Sequence, residues 1–495
     1  MNCKSIILLI VVLLFWGNAE ARKKKGKKVE EVQTESAYRK FFKGKACETA
    51  KGMITLHKMD GRVYFEIPLA LMGREMLMGS TISEITNNGF GSVGEKPKGL
   101  LYISFVRCDS VISLKQLTAQ YDTNEENLKQ RIKESTIPAT IKNFKITTYN
   151  EDSTAVVIDM TDYLVSADEA IDPFSPWAPI LAGGERVMEK EFRRENSQVV
   201  SIKAFEDNVS VKSSLTYGLS LKNKVMYIFQ REPFTAVMTR SFILLPEHPM
   251  RPRLADPRIA IFSQGVSVFN GDSRGAQARY YAQRWNLEPK DMEQYRKGVL
   301  TEPKKPIVFY VDNTFPENWK KYIKEGVEVW QMAFEKIGFK NAIVAKDYPA
   351  DDPNFDPDDI RYSCYRYITT ETANSMGPAW IDPRSGEIIQ ADVLFYHNVI
   401  KLLHNWQFVQ LAQVDPKVRE KVFDEETMGR ALRYVAAHEI GHTLGLMHNM
   451  GASYAYPVDS LRSVTFTRKY GTTPSIMDYA RFNYVAQPGD EGVNL

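Results

Sequence analysis

The sequence predicts an α+β fold in two parts, a β-rich N-terminal region and a C-terminal domain in which strands are followed by two long helices. Three observations predict it. Between about residues 46 and 285, short runs of β-branched and aromatic residues recur between Gly, Asn and Asp clusters, as strands and turns do. Beyond residue 306 the apolar spacing becomes helical over 318–337, and Asp424 opens a second long helix that runs into residues 438–448. The composition, 43% hydrophobic and 25% charged over 495 residues, is that of a globular chain long enough for two or three cores.

At the N-terminus Lys4 precedes an apolar run from Ile6 to Trp16, and Ala19-Glu20-Ala21 follows as a small-residue cleavage site. Residues 1–21 therefore read as an export signal, with the mature chain starting near Arg22. The run is short for a bilayer span, so no transmembrane anchor is expected. Cys3 lies on the wrong side of the run for lipid modification. Arg22, Lys23, Lys24, Lys25, Lys27 and Lys28 open a basic and polar tail, residues 22–45. These six charges exceed the net charge of +3, so the rest of the chain is net negative and offers no nucleic-acid surface. Cleavage would leave Cys47, Cys108 and Cys364, an odd number that allows at most one disulfide. They read as buried apolar residues.

The region 46–285 carries strands over 61–68, 100–106, 154–160, 198–204 and 224–229. It reads as one or two domains, with no internal repeat, phosphate-cradling glycine loop or nucleophile elbow. Inhibitory segment, substrate-docking module and folding aid all stay open for it. Residues 286–305, with Pro289, Pro303 and many charges, read as a surface linker to a domain over 306–495. That domain begins with a buried-type strand, 306–311. A helix over 318–337 follows, its apolar face running from Trp319 through Ile323, Val327, Trp330 and Phe334 to Ile337, and Gly338 stops it. Next come a strand at 359–362 and a hairpin, 377–381 and 387–395, turned by Asp382-Pro383-Arg384-Ser385-Gly386. Asp424, with Glu425 and Glu426 in the first turn, opens the last long helix.

That helix runs into His438-Glu439-Ile440-Gly441-His442-Thr443-Leu444-Gly445-Leu446-Met447-His448. His438 and His442, four apart, leave one helical face at neighbouring heights and can share a metal ion. Gly445 lets the backbone leave the helix through a left-handed conformation, so that His448 arrives as a third imidazole. Three neutral nitrogens with one open position describe a catalytic zinc rather than a structural one. Glu439 stands beside such an ion rather than on it, placed to take a proton from water. Three of the chain's seven histidines fall within these eleven residues, which argues against ordinary core histidines.

With these residues in place, the C-terminal part resembles the metzincins, zinc endopeptidases marked by H-E-x-x-H-x-x-G-x-x-H and a later methionine turn. Ser475-Ile476-Met477-Asp478-Tyr479 matches the turn. The resemblance implies a catalytic domain with a twisted mixed sheet, two long helices and one zinc ion at the cleft floor. It implies that Met477 packs beneath the three histidines without being a ligand. It also implies that Ala379-Trp380-Ile381 is the cleft-edge strand that holds extended substrate by main-chain hydrogen bonds. In some metzincin subfamilies a tyrosine at the place of Tyr479 reaches the metal or the oxyanion, and a tyrosine that only packs in the turn would be spelled the same way. The layout is similar to large exported bacterial metalloproteases with uncharacterised β-rich N-terminal regions. Asn449, after the third histidine, differs from the Asp or Glu of better-known subfamilies and leaves the subfamily open. The likeness also leads to an expectation that the domain is incomplete at its C-terminal end, where a closing helix would follow.

The reading that results is an exported zinc endopeptidase acting on protein or peptide. His438, His442 and His448 would hold the metal, and Glu439 would serve as general base and then acid. Two rivals use the same residues: an inert metzincin-like binding or adhesion protein, and a zinc hydrolase acting on a non-peptide bond.

Overall fold

A computed structural model describes residues 35–175, 186–271 and 275–495. The candidate signal residues 1–21 and the basic run lie outside the described residues. Among those described, no helix is long and apolar enough to cross a membrane.

The N-terminal region is organised by a twelve-stranded sheet whose pairings are all antiparallel. Its longest members are β1 (Asn208–Lys222) and β2 (Tyr227–Leu244), which pair along most of their length. The strand Gln198–Ala204 lies against Thr55–Met59, and the Met53 amide donates to the Phe205 carbonyl at 2.7 Å, so the sheet curls until it nearly closes. Curling gives every strand an inner face, and Phe65, Phe105, Ile158, Leu215 and Phe242 fill it. Strands 62–68, 101–108, 155–159 and 198–204 fall where the sequence places them to within two residues.

Downstream, β3 (Ser263–Val268) and β4 (Gln277–Ala282) form a small sheet with Tyr121–Asp122. The stretch 286–305 is not a free linker. It contains a short helix α1 (Met292–Arg296) and folds back on itself through Pro289 and Pro303. It is also hydrogen-bonded to the C-terminal domain, where the Thr301 amide donates to Gly338 at 3.1 Å and the Lys340 amide to Thr301 at 3.0 Å. Its charges point outward while Trp285 and Leu287, just before or within it, pack against the second core.

The C-terminal sheet is built from β5 (Ile307–Val311), β6 (Ile343–Asp347), β7 (Ser363–Ile368), β8 (Ser375–Met376) and β11 (Val393–Tyr396). In space the order is β6, β5, β7, β11, β8. The first three pairings are parallel and the last antiparallel. β5 lies between two parallel neighbours, which explains its unbroken apolar run. The two remaining strands, β9 (Ala379–Ile381) and β10 (Ile388–Ala391), pair only with each other.

Three expectations for this domain are corrected. The predicted single helix over 318–337 is two, α2 (Glu317–Glu328) and α3 (Gln331–Lys336), interrupted where Trp330 turns its indole to donate to the Ala437 carbonyl at 2.8 Å. Residues 359–362 form turns rather than a strand, because the Asp359 side chain accepts from the Arg361 amide and competes with strand pairing. The stretch 387–395 is divided at Asp392, whose side chain is fully buried and accepts from the Cys364 amide at 2.9 Å. Of the three cysteines, Cys364 alone is buried; Cys47 and Cys108 are exposed and all three are free.

Helices α4 (Val399–Leu411) and α5 (Glu425–Thr443) complete the layer over the sheet. α5 is capped by Asp424, which accepts from the Thr427 amide at 2.7 Å. It buries Ala431, Leu432, Val435, Ala436 and Ile440 against α2 and the sheet.

Candidate metal centre

The site is assembled at the C-terminal end of α5. His438 and His442 stand on successive turns with their rings 4.8 Å apart, and a left-handed exit brings His448 to them. That exit needs glycine twice over. Gly445 has φ +98°, and a Cβ there would sit 2.2 Å from the Gln283 carbonyl oxygen. The Leu446 amide reaches back to Gly441 at 3.0 Å, closing the helix end. The chain that follows is braced by the N-terminal region. Leu446 pairs with Ile261, the Phe262 amide donates to Gly445 at 2.8 Å, and the Met447 amide to Ala260 at 2.9 Å. The Trp285 indole donates to the last helical carbonyl, Thr443, at 2.8 Å.

The hydrogen bonds of the imidazoles set their tautomers. His438 Nδ1 lies 2.8 Å from the Ile476 carbonyl and His442 Nδ1 2.8 Å from the Leu446 carbonyl. A carbonyl can only accept, so each Nδ1 carries the proton and each Nε2 presents a lone pair. The Nε2 atoms of His442 and His448 are 3.1 Å apart, and one ligand atom from each of the three histidines lies within 4.8 Å of the others. Lone pairs gathered this closely repel unless a cation stands among them. The donor set, three imidazoles of which His438 and His442 are oriented through Nδ1, is what a zinc ion takes. Burial pushes the His438 imidazolium down to about 4, with the other two rings adding to the shift, and lowers His442 and His448 as well. All three are thus ready as neutral ligands.

Glu439 is buried, which pushes its carboxyl up to about 8 with no metal bound. Tyr365 on β7 is fully buried and its hydroxyl has no hydrogen-bond partner among the described residues; burial first, then Glu439, opposes its ionisation. Met477 is buried beneath α5. A Cβ on Gly441 would fall 2.2 Å from its sulfur, so the absence of a side chain between the two helical histidines makes room for the methionine. The Met477 carbonyl also accepts from the Asn449 amide at 2.9 Å, tying the turn to the third histidine. The Tyr479 ring stands 4.5 Å from His448 and 5.6 Å from His438, half-exposed at the rim.

Ala379, Trp380 and Ile381 are not at the edge of the five-stranded sheet. Trp380 is buried against the N-terminal sheet, close enough to Gly79 that a Cβ there would lie 3.0 Å from the ring, and Lys96 stands 4.7 Å over it. The outer strand is β8, four residues earlier, and a Cβ on Gly377 after it would lie 3.3 Å from the Glu439 carbonyl oxygen and from His442. The sequence around 375 gave no strand signal, because two residues are too few for a period. A cavity of about 240 Å³ opens beside Glu439 and His438, between β8, α4 and the stretch after Met477. Trp406 and Arg481, both in its lining, were not marked out by any motif.

Residues 420–495 match the sequence family described as Met-zincin. The C-terminal segment fits a Met-zincin. The match covers α5, the three histidines and the methionine turn, and leaves the sheet outside it. Residues 96–290 match a domain of unknown function, DUF5117, and residues 35–85 another, DUF5118. The brace residues Ile261, Gln283 and Trp285 of the Met-zincin turn fall within the former. No curated protein and no solved structure matches the chain.

Proposed function

We propose that the protein is an exported zinc-dependent endopeptidase. His438, His442 and His448 hold one zinc ion, Glu439 is the general base and acid, and protein or peptide is the substrate. The observation that carries the reading is the convergence of one ring nitrogen from each of the three histidines beside the buried carboxyl of Glu439. When bound, zinc polarises a scissile carbonyl and lowers the pKa of water to about 7.

The chain's own groups do the rest. Glu439 takes a proton from the attacking water and hands it to the leaving amine nitrogen, so no covalent intermediate is required. Its buried setting favours holding that proton between the two transfers. The phenol of Tyr479, at the rim, donates to the oxyanion of the tetrahedral intermediate. The free edge of β8 at Ser375 and Met376, in place of β9, offers main-chain groups to an extended peptide. Met477 keeps the floor apolar. Export rests on residues 1–21.

The test is cleavage of a peptide library by the full chain, with and without a chelator. Zinc-restored cuts inside peptides support the reading. A zinc-loaded protein that cuts none of them overturns it.

A further inference from the structure

The cavity beside Glu439 has one apolar side, formed by Val399, Leu402, Trp406 and Val435. Among the described residues that line it, Arg481 is the only permanent cation. Three features of this arginine need a reason. Its φ is +54°, a backbone conformation that side chains other than glycine rarely adopt. Its guanidinium lies 3.6 Å over the Trp406 ring and 5.3 Å from that of Tyr479, contacts to ring faces that use none of its N–H donors. Its Nε is buried without a hydrogen-bond partner, and it forms no ion pair among the described residues. The neighbouring phenol of Tyr434 offers no relief, since it donates to the Asp478 carbonyl at 3.2 Å.

A buried donor left unfilled costs stability, and a strained backbone holds this one in place. A planar fork with free edges matches a carboxylate in bidentate geometry. The volume, about 240 Å³, suits one side chain.

We infer that Arg481 is a specificity-determining residue that receives a substrate carboxylate in this cavity, so that the enzyme cuts next to an acidic residue or inside the chain a short way before a free C-terminus. The inference rests on the endopeptidase reading and deepens it by naming the substrate class. Packing of the guanidinium on Trp406 strengthens the pairing by keeping water from one of its faces. An uncharged isostere would leave the guanidinium unpaired and be rejected.

The experiment uses the zinc-loaded full chain and matched peptides that differ at one position beside the cut, Glu against Gln, each made with a free and an amidated C-terminus. The expected result is kcat/KM higher by about tenfold or more for the carboxylate form of one of these pairs, as a charge-assisted hydrogen bond supplies. The Glu/Gln pair locates the carboxylate on a side chain, and the acid/amide pair on the chain end. In Arg481→Gln the ratio should fall to within about twofold, while Arg481→Lys, which keeps the charge without the fork, should be intermediate. Circular dichroism of both variants checks folding. A ratio near unity in the wild type, or one that survives in Arg481→Gln, overturns the inference and leaves the endopeptidase reading intact. If no peptide is cut at all, the endopeptidase reading fails. Calorimetric binding of the same peptides to zinc-loaded Glu439→Ala then decides Arg481 separately, and equal affinity for the acid and amide forms overturns it too.

Discussion

Glu439 and Tyr479 both stand near the histidines, yet their surroundings assign them different work. Glu439 is buried, with its proton affinity raised, and it hydrogen-bonds to none of the three rings. Glu439→Gln should therefore lower hydrolysis by about 10²–10⁴-fold while the protein keeps its zinc, as read by a peptide assay beside elemental analysis. Loss of the metal from that variant would mean that the carboxylate is a ligand. His448→Ala should do the reverse and weaken zinc binding itself, because it removes one of three donors. Tyr479 is half-exposed, with its ring against His448 and, among the described residues, no hydrogen bond that would commit its hydroxyl elsewhere. As an oxyanion donor it acts in the transition state, so Tyr479→Phe should reduce kcat by about 10²-fold with KM little changed. A nearly normal kcat with slightly lower thermal stability would return it to a packing role.

At the scale of elements, the site depends on how α5 ends. A Cβ on Gly445 meets both a positive φ and the Gln283 carbonyl at 2.2 Å, and the obstructing atom is backbone, which cannot rotate away. Gly445→Ala should cost about 2 kcal/mol or more in unfolding free energy and should also weaken zinc binding, since the turn that delivers His448 must shift. Zinc affinity equal to that of the wild type would show that the brace from Ile261 and Gln283 is not what positions the third histidine. β9 and β8 carry a second lesson at this scale. The hairpin chemistry at 382–386 is local and was read correctly as a turn. Which strand lies on the outside of the sheet depends on partners far along the chain.

Over the whole molecule, the N-terminal region and the C-terminal domain share a buried network of charges. Lys96 reaches Gln390 at 2.7 Å and Asp392 at 3.3 Å, and Asp392 also faces Arg366 at 3.6 Å. Arg366 pairs with Asp358 at 2.7 Å, while Lys212 of β1 bridges Asp356 and Asp358 at 3.1 and 3.3 Å. Burial pushes the Lys96 ammonium down, and Asp392 is the partner that keeps it charged. Removing one member leaves charge buried without its counter-ion, so Lys96→Met should destabilise the protein by about 3–5 kcal/mol. Cutting the chain at residue 306 removes Lys96, Lys212, Trp285 and the Ile261 pairing together. Residues 306–495 alone should unfold at lower temperature and cleave short peptides no faster than the full chain. A large gain in kcat/KM on truncation would instead identify the N-terminal region as inhibitory.

The sequence by itself laid out the candidate metal centre, because its parts are local. Two histidines four apart share a helical face whatever surrounds them, Asp424 caps the helix it precedes, and Gly445 permits the turn that returns His448. The methionine turn was legible from its order after that motif, and the alternating strands of the N-terminal region from their period. Tertiary structure alone decided that the N-terminal sheet nearly closes, that Trp380 faces this sheet rather than the cleft, that β8 is the outer strand, and that 260–285 braces the third histidine. It also placed Arg481 on Trp406 in a cavity beside Glu439. Each of these is a meeting of residues tens to hundreds of positions apart, settled by which buried faces and charges find partners, and no local period or propensity encodes such a choice.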